Sequence, residues 1–175
     1  MLKKIAIIGP ESTGKSILAE DLAAFYNTVF VPEFARNYLS GLGRPYNQYD
    51  LLQIAKKQQE WIFSYQKRAT DYLFVDTELM VIKIWSKFKY KNVHPWIISE
   101  LNKQTFDLYL LTAVDLPWEN DPLREHPNQR EKLFALYEKE LQKRNFPYRI
   151  VKGIGKKRTL NAISEIDSFF LQNES

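Results

Sequence analysis

The sequence predicts an α/β fold in three layers, with a five-stranded parallel sheet and helices on both of its faces. Three observations support this prediction. Short apolar runs alternate with helical patterns about five times, a polar stretch with two glycines separates the first run from the first helix, and an acid ends the third run. Ligands of such sheets bind at the carboxyl ends of the strands, so we expect functional residues just after positions 8, 31, 75, 112 and 151.

The first half of the chain supplies three strands and two long helical patterns. Residues 4–9 (KIAIIG) form a continuous apolar run, which is typical of a strand buried on both faces. A helical stripe follows at Leu18, Leu22 and Phe25. The later elements of this half are a strand at 28–31 (TVFV), a long helix at 47–69 and a strand at 72–75 (YLFV).

The second half continues the alternation. Residues 77–88 and 95–104 have helical spacing, and residues 108–112 (LYLLT) are a fourth buried strand. Residues 115–130 contain three prolines and many charges, which favours an ordered loop or lid; we call them the lid segment. The remaining elements are a helix at 131–145, a strand at 148–151 and a helix from about 159 to 171.

Composition limits the class of protein. The length of 175 residues predicts a single domain over 1–175, and the absence of cysteine excludes disulfides and fits a reducing compartment. The first apolar run is short and no stretch of about 18 apolar residues exists, so we expect a cytoplasmic protein without a signal peptide or membrane helix. The formal net charge of +4 is too small to indicate nucleic acid and suits an anionic small molecule.

The stretch GPESTGKS at residues 9–16 matches the pattern G-x-x-x-x-G-K-[S/T] between a strand and a helix. Its glycines let the backbone wrap around a phosphate, and the helix adds its positive amino end. Lys15 can reach the β- and γ-phosphates of ATP, and the Ser16 hydroxyl can bind Mg²⁺. We expect the Glu11 side chain to be solvated. The nucleotide-binding residues expected here are Gly9, Glu11, Ser12, Thr13, Gly14, Lys15, Ser16 and Ile17.

Acids follow two other predicted strands. Asp76 ends YLFV, where a carboxylate can complete the Mg²⁺ shell beside Ser16, and it could also cap the next helix. For Glu78 a capping turn and a ligand role are equally open. Glu33 and Arg36 follow the second strand and share a helical face. In a kinase, this carboxylate could accept the proton of a hydroxyl acceptor and the arginine could hold a phosphate, whereas the alternative is a weak surface ion pair.

The lid segment and the loop after the last strand carry further candidates. Arg124 and Arg130 could close over a transferring phosphoryl group, while Asp115 and Asp121 could pin the segment or bind a sugar; the alternative is a solvated loop. The run KKR that ends at Arg158 could belong to an adenine-side loop or to a basic solvated turn, and it is weak support for nucleic acid.

The two histidines, His94 and His126, have no partners at ligand spacing, so we expect them at the surface.

Several segments carry a family resemblance: GPESTGKS, VPEFAR, FVDTE followed by IW, FDLYLLT and DLPWENDPLRE. Together they resemble the ribosylnicotinamide kinase domain of NadR-type proteins, a P-loop AAA-type ATPase and kinase family, over about residues 3–160. The phosphate loop is shared by many unrelated NTPases, whereas the segments PEFAR and DLPWxxDPLR are more specific.

The resemblance implies a P-loop NTPase fold of the nucleoside-kinase kind with a lid. It also implies transfer of the ATP γ-phosphate, with Mg²⁺, to the 5′-hydroxyl of nicotinamide riboside, a step of NAD biosynthesis that gives nicotinamide mononucleotide. Lys15 and Ser16 match the phosphate and Mg²⁺ positions, and Glu33 matches the base. The other matches are Asp76 at the acidic strand end and Arg124 and Arg130 in the lid.

Two departures bear on the substrate. NadR-type proteins often join this domain to an adenylyltransferase half, for which 175 residues leave no room. Pro32 stands where the family can have an aromatic residue that stacks on the pyridine ring. Stacking would then come from another aromatic residue, although core packing is the stronger interpretation of each candidate. The candidates are Trp61, Tyr65, Trp85 and Trp118, and the other expected substrate contacts are Glu33, Arg36 and Asp121.

Three functions remain open at this point. The first is a nicotinamide riboside kinase whose acceptor lies between Glu33 and the helix at 47–69, with Glu33 or Asp76 as the base. The second is a kinase of another nucleoside, and the third is a P-loop nucleotide sensor with a regulatory role. The expected ligands are ATP, Mg²⁺ and a small nucleoside, without nucleic acid or membrane, and the oligomeric state is not predicted.

Overall fold

The sheet consists of five parallel strands. They are β1 (Lys3–Ile8), β2 (Phe30–Val31), β3 (Tyr72–Asp76), β4 (Leu108–Thr112) and β5 (Tyr148–Val151). The computed structural model describes residues 1–173. The strands follow the order β2-β3-β1-β4-β5, so β1 is central. The chain adds β2 and β3 on one side of β1 and then β4 and β5 on the other side. The segment after β1 therefore lies at the switch point where sheets of this kind bind ligands.

Seven helices cover the two faces of the sheet. They are α1 (Lys15–Phe25), α2 (Phe34–Ser40), α3 (Gln48–Gln66), α4 (Leu79–Tyr90), α5 (Pro95–Lys103), α6 (Arg130–Lys143) and α7 (Lys156–Asn173). α1 and α7 pack on one face around Ile5 and Ile7. α3 to α6 pack on the other face around Ala6 and Ile8. The predicted three-layer fold with a five-stranded parallel sheet is confirmed. Within residues 1–173, no helix has the length and apolar character that a membrane span requires.

Several element boundaries differ from the prediction. β2 has two residues rather than four, because the Thr28 side chain donates to the Tyr72 carbonyl and takes the place of a ladder bond. α2 was not predicted as a helix of its own. It has seven residues, and its support is tertiary, since Ala35 is buried and the Phe34 N–H donates to the Gln58 side chain. α7 begins three residues early, directly after Gly155 in the left-handed region.

The amino end of α3 is fixed by a buried carboxylate. Asn47 Oδ1 accepts the N–H groups of Tyr49 and Asp50, and Asp50 Oδ2 accepts the Asn47 N–H at 2.8 Å. Asp50 also accepts two bonds of 2.8 Å from Arg44 and one of 2.9 Å from the Tyr38 hydroxyl. These donors, Arg44 first, lower the pKa of Asp50 below its ordinary value. One carboxylate thus joins α2, the loop after it and α3.

We expect Asp50→Asn to lower the free energy of unfolding at pH 7 by about 1–3 kcal/mol, because charge-assisted bonds to a buried group are lost. The pKa of Asp50 is depressed in the folded state. Its contribution is therefore fully present above the unfolded pKa and is lost as the pH falls through the folded pKa. Urea unfolding between pH 3 and pH 7 measures both effects.

Asp71→Asn, at an exposed position, is the matched control and should change stability by less than about 0.5 kcal/mol. Equal stability of the Asp50 and Asp71 variants at pH 7 would contradict the role given to Asp50.

Candidate functional site

The phosphate loop at 9–16 curls at the carboxyl end of β1 and touches β4. Gly9 has φ +145°, and a Cβ atom there would lie 2.3 Å from Thr112 Oγ1, so no other residue fits. Gly14 has φ +73° and precedes the first residue of α1. The Thr13 hydroxyl lies 2.7 Å from both the Pro10 carbonyl oxygen and the Thr112 hydroxyl. The loop is therefore fastened to the sheet from inside.

Lys15 and Ser16 begin α1 and point toward the loop and β3. Lys15 Nζ donates to the Pro10 carbonyl at 2.7 Å, and Ser16 Oγ donates to Asp76 Oδ2 at 2.5 Å. Asp76 is fully buried behind Ser16, and burial raises its pKa while Lys15 opposes the rise. The next residue, Thr77, has φ +73°, an unusual backbone for a β-branched residue that marks stored strain beside the site. The serine and the acid are thus paired as the sequence predicts.

Glu33 stands at the N-cap position of α2, but its side chain makes no capping hydrogen bond. Its carboxylate faces the cavity instead, where burial and the nearby Asp76 raise its pKa, and Lys15 and Arg36 partly offset the rise. A carboxylate whose pKa is raised toward neutrality is suited to accept a proton.

The lid segment is docked on the phosphate loop by several hydrogen bonds. The Glu11 carboxylate accepts the backbone N–H groups of Glu125 and His126 at 2.9–3.2 Å. The expectation that Glu11 is solvated was wrong, because its carboxylate binds these two backbone N–H groups, and a charged carboxylate is a strong hydrogen-bond acceptor. Ser12 Oγ accepts the Glu119 N–H at 3.0 Å and an Arg124 N–H at 3.2 Å.

The charged residues of the lid segment divide into different roles. Arg124 lines the cavity, whereas Arg130 does not, because its guanidinium donates to the carbonyls of Ser12 and Leu116 at 3.1 and 2.9 Å. Asp121 was expected to contact substrate, but it accepts a 2.8 Å bond from Arg36, so the lid is tied to α2. Arg130 is therefore a support of the loop rather than a direct contact of the transferring group.

A cavity of about 360 Å³ lies at the phosphate loop. Residues 9–17 contribute to its lining, as do Glu33 and Arg36. The lining also includes Val81, Trp85, Phe88, His126, Leu133 and Tyr137. These six side chains come from α4, the lid segment and α6, and no described residue of α3 lines the cavity. The lining of this cavity therefore gives no support to the expectation that an acceptor lies against the helix at 47–69.

Only one of the four candidate aromatic residues lines this cavity. Trp85 does so, whereas Trp61 packs edge-on against Phe34 at 4.9 Å, next to Tyr65, which also lies outside the cavity. Trp118 bonds to Asn120 and lies beside the Arg130 guanidinium, outside the cavity lining. Core packing thus explains Trp61 and Tyr65. His126, which was expected at the surface, is partly exposed and also lines the cavity.

Two more acidic and basic candidates serve the fold. Arg158 is 4% exposed and donates to the Gly153 and Ala113 carbonyls and to the Asp115 carboxylate, so it holds the loop after β5 instead of contacting a nucleotide. Burial among these groups is the reason that a basic run in the sequence does not give an exposed guanidinium. Glu78 accepts the Met80 N–H at 2.8 Å and caps α4. Through its bond with Arg158, Asp115 pins the base of the lid segment.

Three residues of the cavity wall that the sequence did not single out are Phe88, Leu133 and Tyr137. Each has the helical spacing of an ordinary core residue, and nothing in the local sequence separates it from the core. Only the arrangement of α4 against α6 brings the three side chains to one cavity.

Comparisons with known proteins identify a family and related structures. A family model described as an AAA domain matches residues 4–158. The trifunctional NAD biosynthesis/regulator protein NadR of Escherichia coli (strain K12) is 33% identical over 129 residues, which are 70% of this chain and 31% of that protein. The NadR protein of Salmonella typhimurium gives the same identity and coverage. The chain spans about a third of the length of these curated relatives.

Solved structures show the same fold. A crystal structure of NadR protein in complex with NR has a TM-score of 0.84 at 18% identity and covers 95% of this chain and 51% of that chain. Deoxyadenosine kinase from M. mycoides has a TM-score of 0.63 at 16% identity and covers 94% of this chain and 99% of that chain. The fold is thus that of P-loop nucleoside kinases.

We expect Glu11→Ala to release the lid segment from the phosphate loop. Two backbone amides lose a charged acceptor, each bond being worth about 1.5–3 kcal/mol, so the 125 and 126 amides should exchange at least about tenfold faster. Hydrogen exchange with mass spectrometry measures the rate in peptides that cover residues 119–129.

The control is Glu119→Ala, whose side chain is 77% exposed and makes one loose contact with Arg124. Exchange in Glu11→Ala that matched this control would mean that the Glu11 bonds do not hold the segment.

Proposed function

The chain belongs to the AAA domain family, and from this premise we propose that it is a kinase that transfers the γ-phosphate of ATP to the 5′-hydroxyl of a nucleoside. The nucleoside we propose is nicotinamide riboside, and the product is nicotinamide mononucleotide. One observation carries the proposal: the phosphate loop, the Glu33 carboxylate and a set of apolar side chains from α4 and α6, which we call the acceptor compartment, line one and the same cavity. An NTPase that only hydrolyses ATP needs no such compartment.

The chemistry of the compartment supports a nucleoside acceptor. Trp85, Phe88 and Tyr137 offer aromatic side chains for a flat ring, and Arg36 also lines the cavity. The nicotinamide ring of nicotinamide riboside is a cation, and cations bind favourably over aromatic faces. The similarity to NadR supports this choice of nucleoside over others.

In the proposed reaction, the 5′-oxygen forms a bond to the γ-phosphorus, the bond from phosphorus to the β–γ bridging oxygen breaks, and ADP leaves. Glu33 takes the hydroxyl proton. Lys15 and Arg124 neutralise charge on the transferring group, and the docked lid segment excludes water. We prefer Glu33 to Asp76 as the base, because Asp76 is buried behind Ser16 and accepts its hydroxyl.

Two residues, one at the start of α1 and one at the end of β3, also fit a magnesium ion. Ser16 and Asp76 supply hard oxygen donors, and Mg²⁺ is ordinarily held by one or two such groups together with waters and nucleotide phosphates. In residues 1–173, no group of three or more acidic or histidine side chains could hold an ion alone, so the ion would enter with the nucleotide. When bound, Mg²⁺ neutralises charge on the phosphates.

Nicotinamide riboside should accelerate ADP formation from ATP by at least about 100-fold over the rate without a nucleoside, since phosphoryl transfer depends on a positioned acceptor. A coupled ADP assay with nicotinamide riboside, nicotinic acid riboside and the common deoxynucleosides measures this. Lys15→Ala should lower the accelerated rate by about 10²–10³-fold or more, because charge on the phosphates is left uncompensated.

Lys57→Ala, at an exposed position of α3, is the control for Lys15→Ala and should behave as the parent protein. Acceleration by a different nucleoside would replace the substrate but keep the kinase. ATP turnover that no nucleoside changes would reject the kinase and favour the nucleotide sensor.

We expect Glu33→Gln to lower kcat by about 10²–10⁴-fold, the usual contribution of a general base, while the Kd for ATP changes by less than about twofold. The base must be ionised, so kcat/KM of the parent protein should fall as the pH drops through the pKa of Glu33. Because burial and Asp76 raise that pKa, the fall should be centred above the ordinary glutamate value of 4.5. Rates measured from pH 5 to pH 9 give the profile.

In Glu33→Gln this acid limb should disappear, and in Glu20→Gln, on the exposed side of α1, it should remain. Normal transfer by the Glu33→Gln protein would remove Glu33 as the base.

A further inference from the structure

We propose that Tyr46 is a positioning residue that holds the indole of Trp85 in the wall of the acceptor compartment, and that Glu125 of the lid segment holds Tyr46 in turn. The inference rests on the proposed function, since it concerns how that compartment recognises its acceptor. Tyr46 lies in the loop between α2 and α3 and does not line the cavity. Its effect on an acceptor would therefore act through Trp85.

Tyr46 and Trp85 make a directional contact. Trp85 Nε1 donates to the Tyr46 hydroxyl at 2.9 Å, and the two rings meet edge to face with centroids 5.1 Å apart. An indole has a single N–H donor, so this bond fixes the rotation of the ring about its side-chain bonds. Trp85 also lines the cavity, whereas Tyr46 does not. The orientation of the Tyr46 hydroxyl thus sets the surface that an acceptor ring meets.

The Tyr46 hydroxyl donates its own proton to the Glu125 carboxylate. A phenol has one proton to donate, and here it goes to a carboxylate that can only accept, so the oxygen is left as the acceptor for Trp85. The order of donors is therefore fixed as Trp85 to Tyr46 to Glu125. Without the Glu125 carboxylate, the Tyr46 hydroxyl would be free to rotate.

Tyr46 is held from other directions as well. Lys89 Nζ bonds to Glu125 at 2.8 Å and lies 3.7 Å from the centroid of the Tyr46 ring, which is a cation–π arrangement. The Tyr90 hydroxyl donates to the Tyr46 carbonyl at 3.0 Å. α4 therefore carries Trp85, Lys89 and Tyr90 on one side and fixes Tyr46 from three directions. These contacts fix the orientation of the Tyr46 side chain, which apolar packing alone would not do.

The same glutamate connects the acceptor wall to the phosphate loop. The Glu125 carboxylate binds Tyr46, and the Glu125 backbone N–H binds the Glu11 carboxylate. A continuous path of hydrogen bonds thus runs from the phosphate loop through the lid segment to Trp85. Docking of the lid and the shape of the acceptor wall are then linked, so acceptor affinity should depend on residues that touch neither ATP nor the acceptor.

The test is Tyr46→Phe, which removes one hydroxyl and keeps the ring contact with Trp85. The KM for the nucleoside should rise about five- to tenfold, the value of one or two lost hydrogen bonds, while kcat and the KM for ATP stay within about twofold. Tyr26→Phe is the matched control, because the Tyr26 hydroxyl also donates to a carboxylate, that of Asp167 at 2.7 Å, far from the cavity.

Two further measurements separate positioning from general damage. The difference between the emission spectra of the parent and Trp85→Phe proteins reports Trp85 alone, and Tyr46→Phe should shift it in the free protein, without any substrate. In a Trp85→Phe background, Tyr46→Phe should raise the nucleoside KM no further, since the residue that it positions is gone. Glu125→Ala should reproduce the effect of Tyr46→Phe.

The outcomes distinguish this proposal from the function on which it rests. If no nucleoside accelerates the parent enzyme, the proposed function fails, whereas the emission shift still reports the contact between Tyr46 and Trp85. If the parent enzyme phosphorylates a nucleoside and Tyr46→Phe has an unchanged KM, the positioning role is wrong. An equal loss of kcat in Tyr46→Phe and Tyr26→Phe would likewise reject it, because it would indicate a general loss of structure.

Discussion

The contact between the phosphate loop and β4 is the constraint on which the rest of the site depends. The Gly9 backbone approaches Thr112 so closely that it leaves no space for a side chain, and the hydroxyls of Thr112 and Thr13 fill the small remaining gap. This close approach gives the loop its curvature and brings the start of α1 over the ends of the strands. Because β1 pairs with β3 so that Ile7 faces Asp76, the same curvature brings Ser16 to the Asp76 carboxylate.

Electrostatics explains why positively charged groups of the protein surround this loop. Asp76 and Glu33 are close enough to the loop for burial and mutual repulsion to raise the pKa of Glu33. A nucleotide triphosphate would add several negative charges to the same volume, which is unfavourable unless positive groups compensate. Lys15, Arg124 and the amino end of α1 supply that compensation within the cavity wall. Positive groups of the loop and of the lid segment would therefore offset the charge that a bound triphosphate brings near these acids.

The sequence predicts the sheet and the position of the loop at 9–16 well, because both depend on local patterns. Apolar runs give the strands, and the spacing of Gly9, Gly14 and Lys15 reflects a backbone geometry that few other residues permit. The acceptor wall could not be predicted in the same way. Phe88 and Tyr137 have the spacing of core residues and do pack in the core, and only the packing of α4 near α6 shows that they also line the cavity. For Arg158, the sequence shows the charge but not the carbonyls that bury it.

The donor and acceptor sides of the cavity are built from different chemistry, and this difference locates substrate choice. The donor side consists of backbone N–H groups, small hydroxyls and one lysine, which recognise phosphates that all nucleoside triphosphates share. In the proposed kinase, the acceptor side would consist of side chains from α4, α6 and the lid segment, which would recognise a ring by shape and orientation. Specificity would then depend on residues such as Trp85 and on what holds them. A chain could keep the phosphate loop unchanged and still acquire a different acceptor, so the loop indicates the fold, whereas the substrate would be decided by this wall.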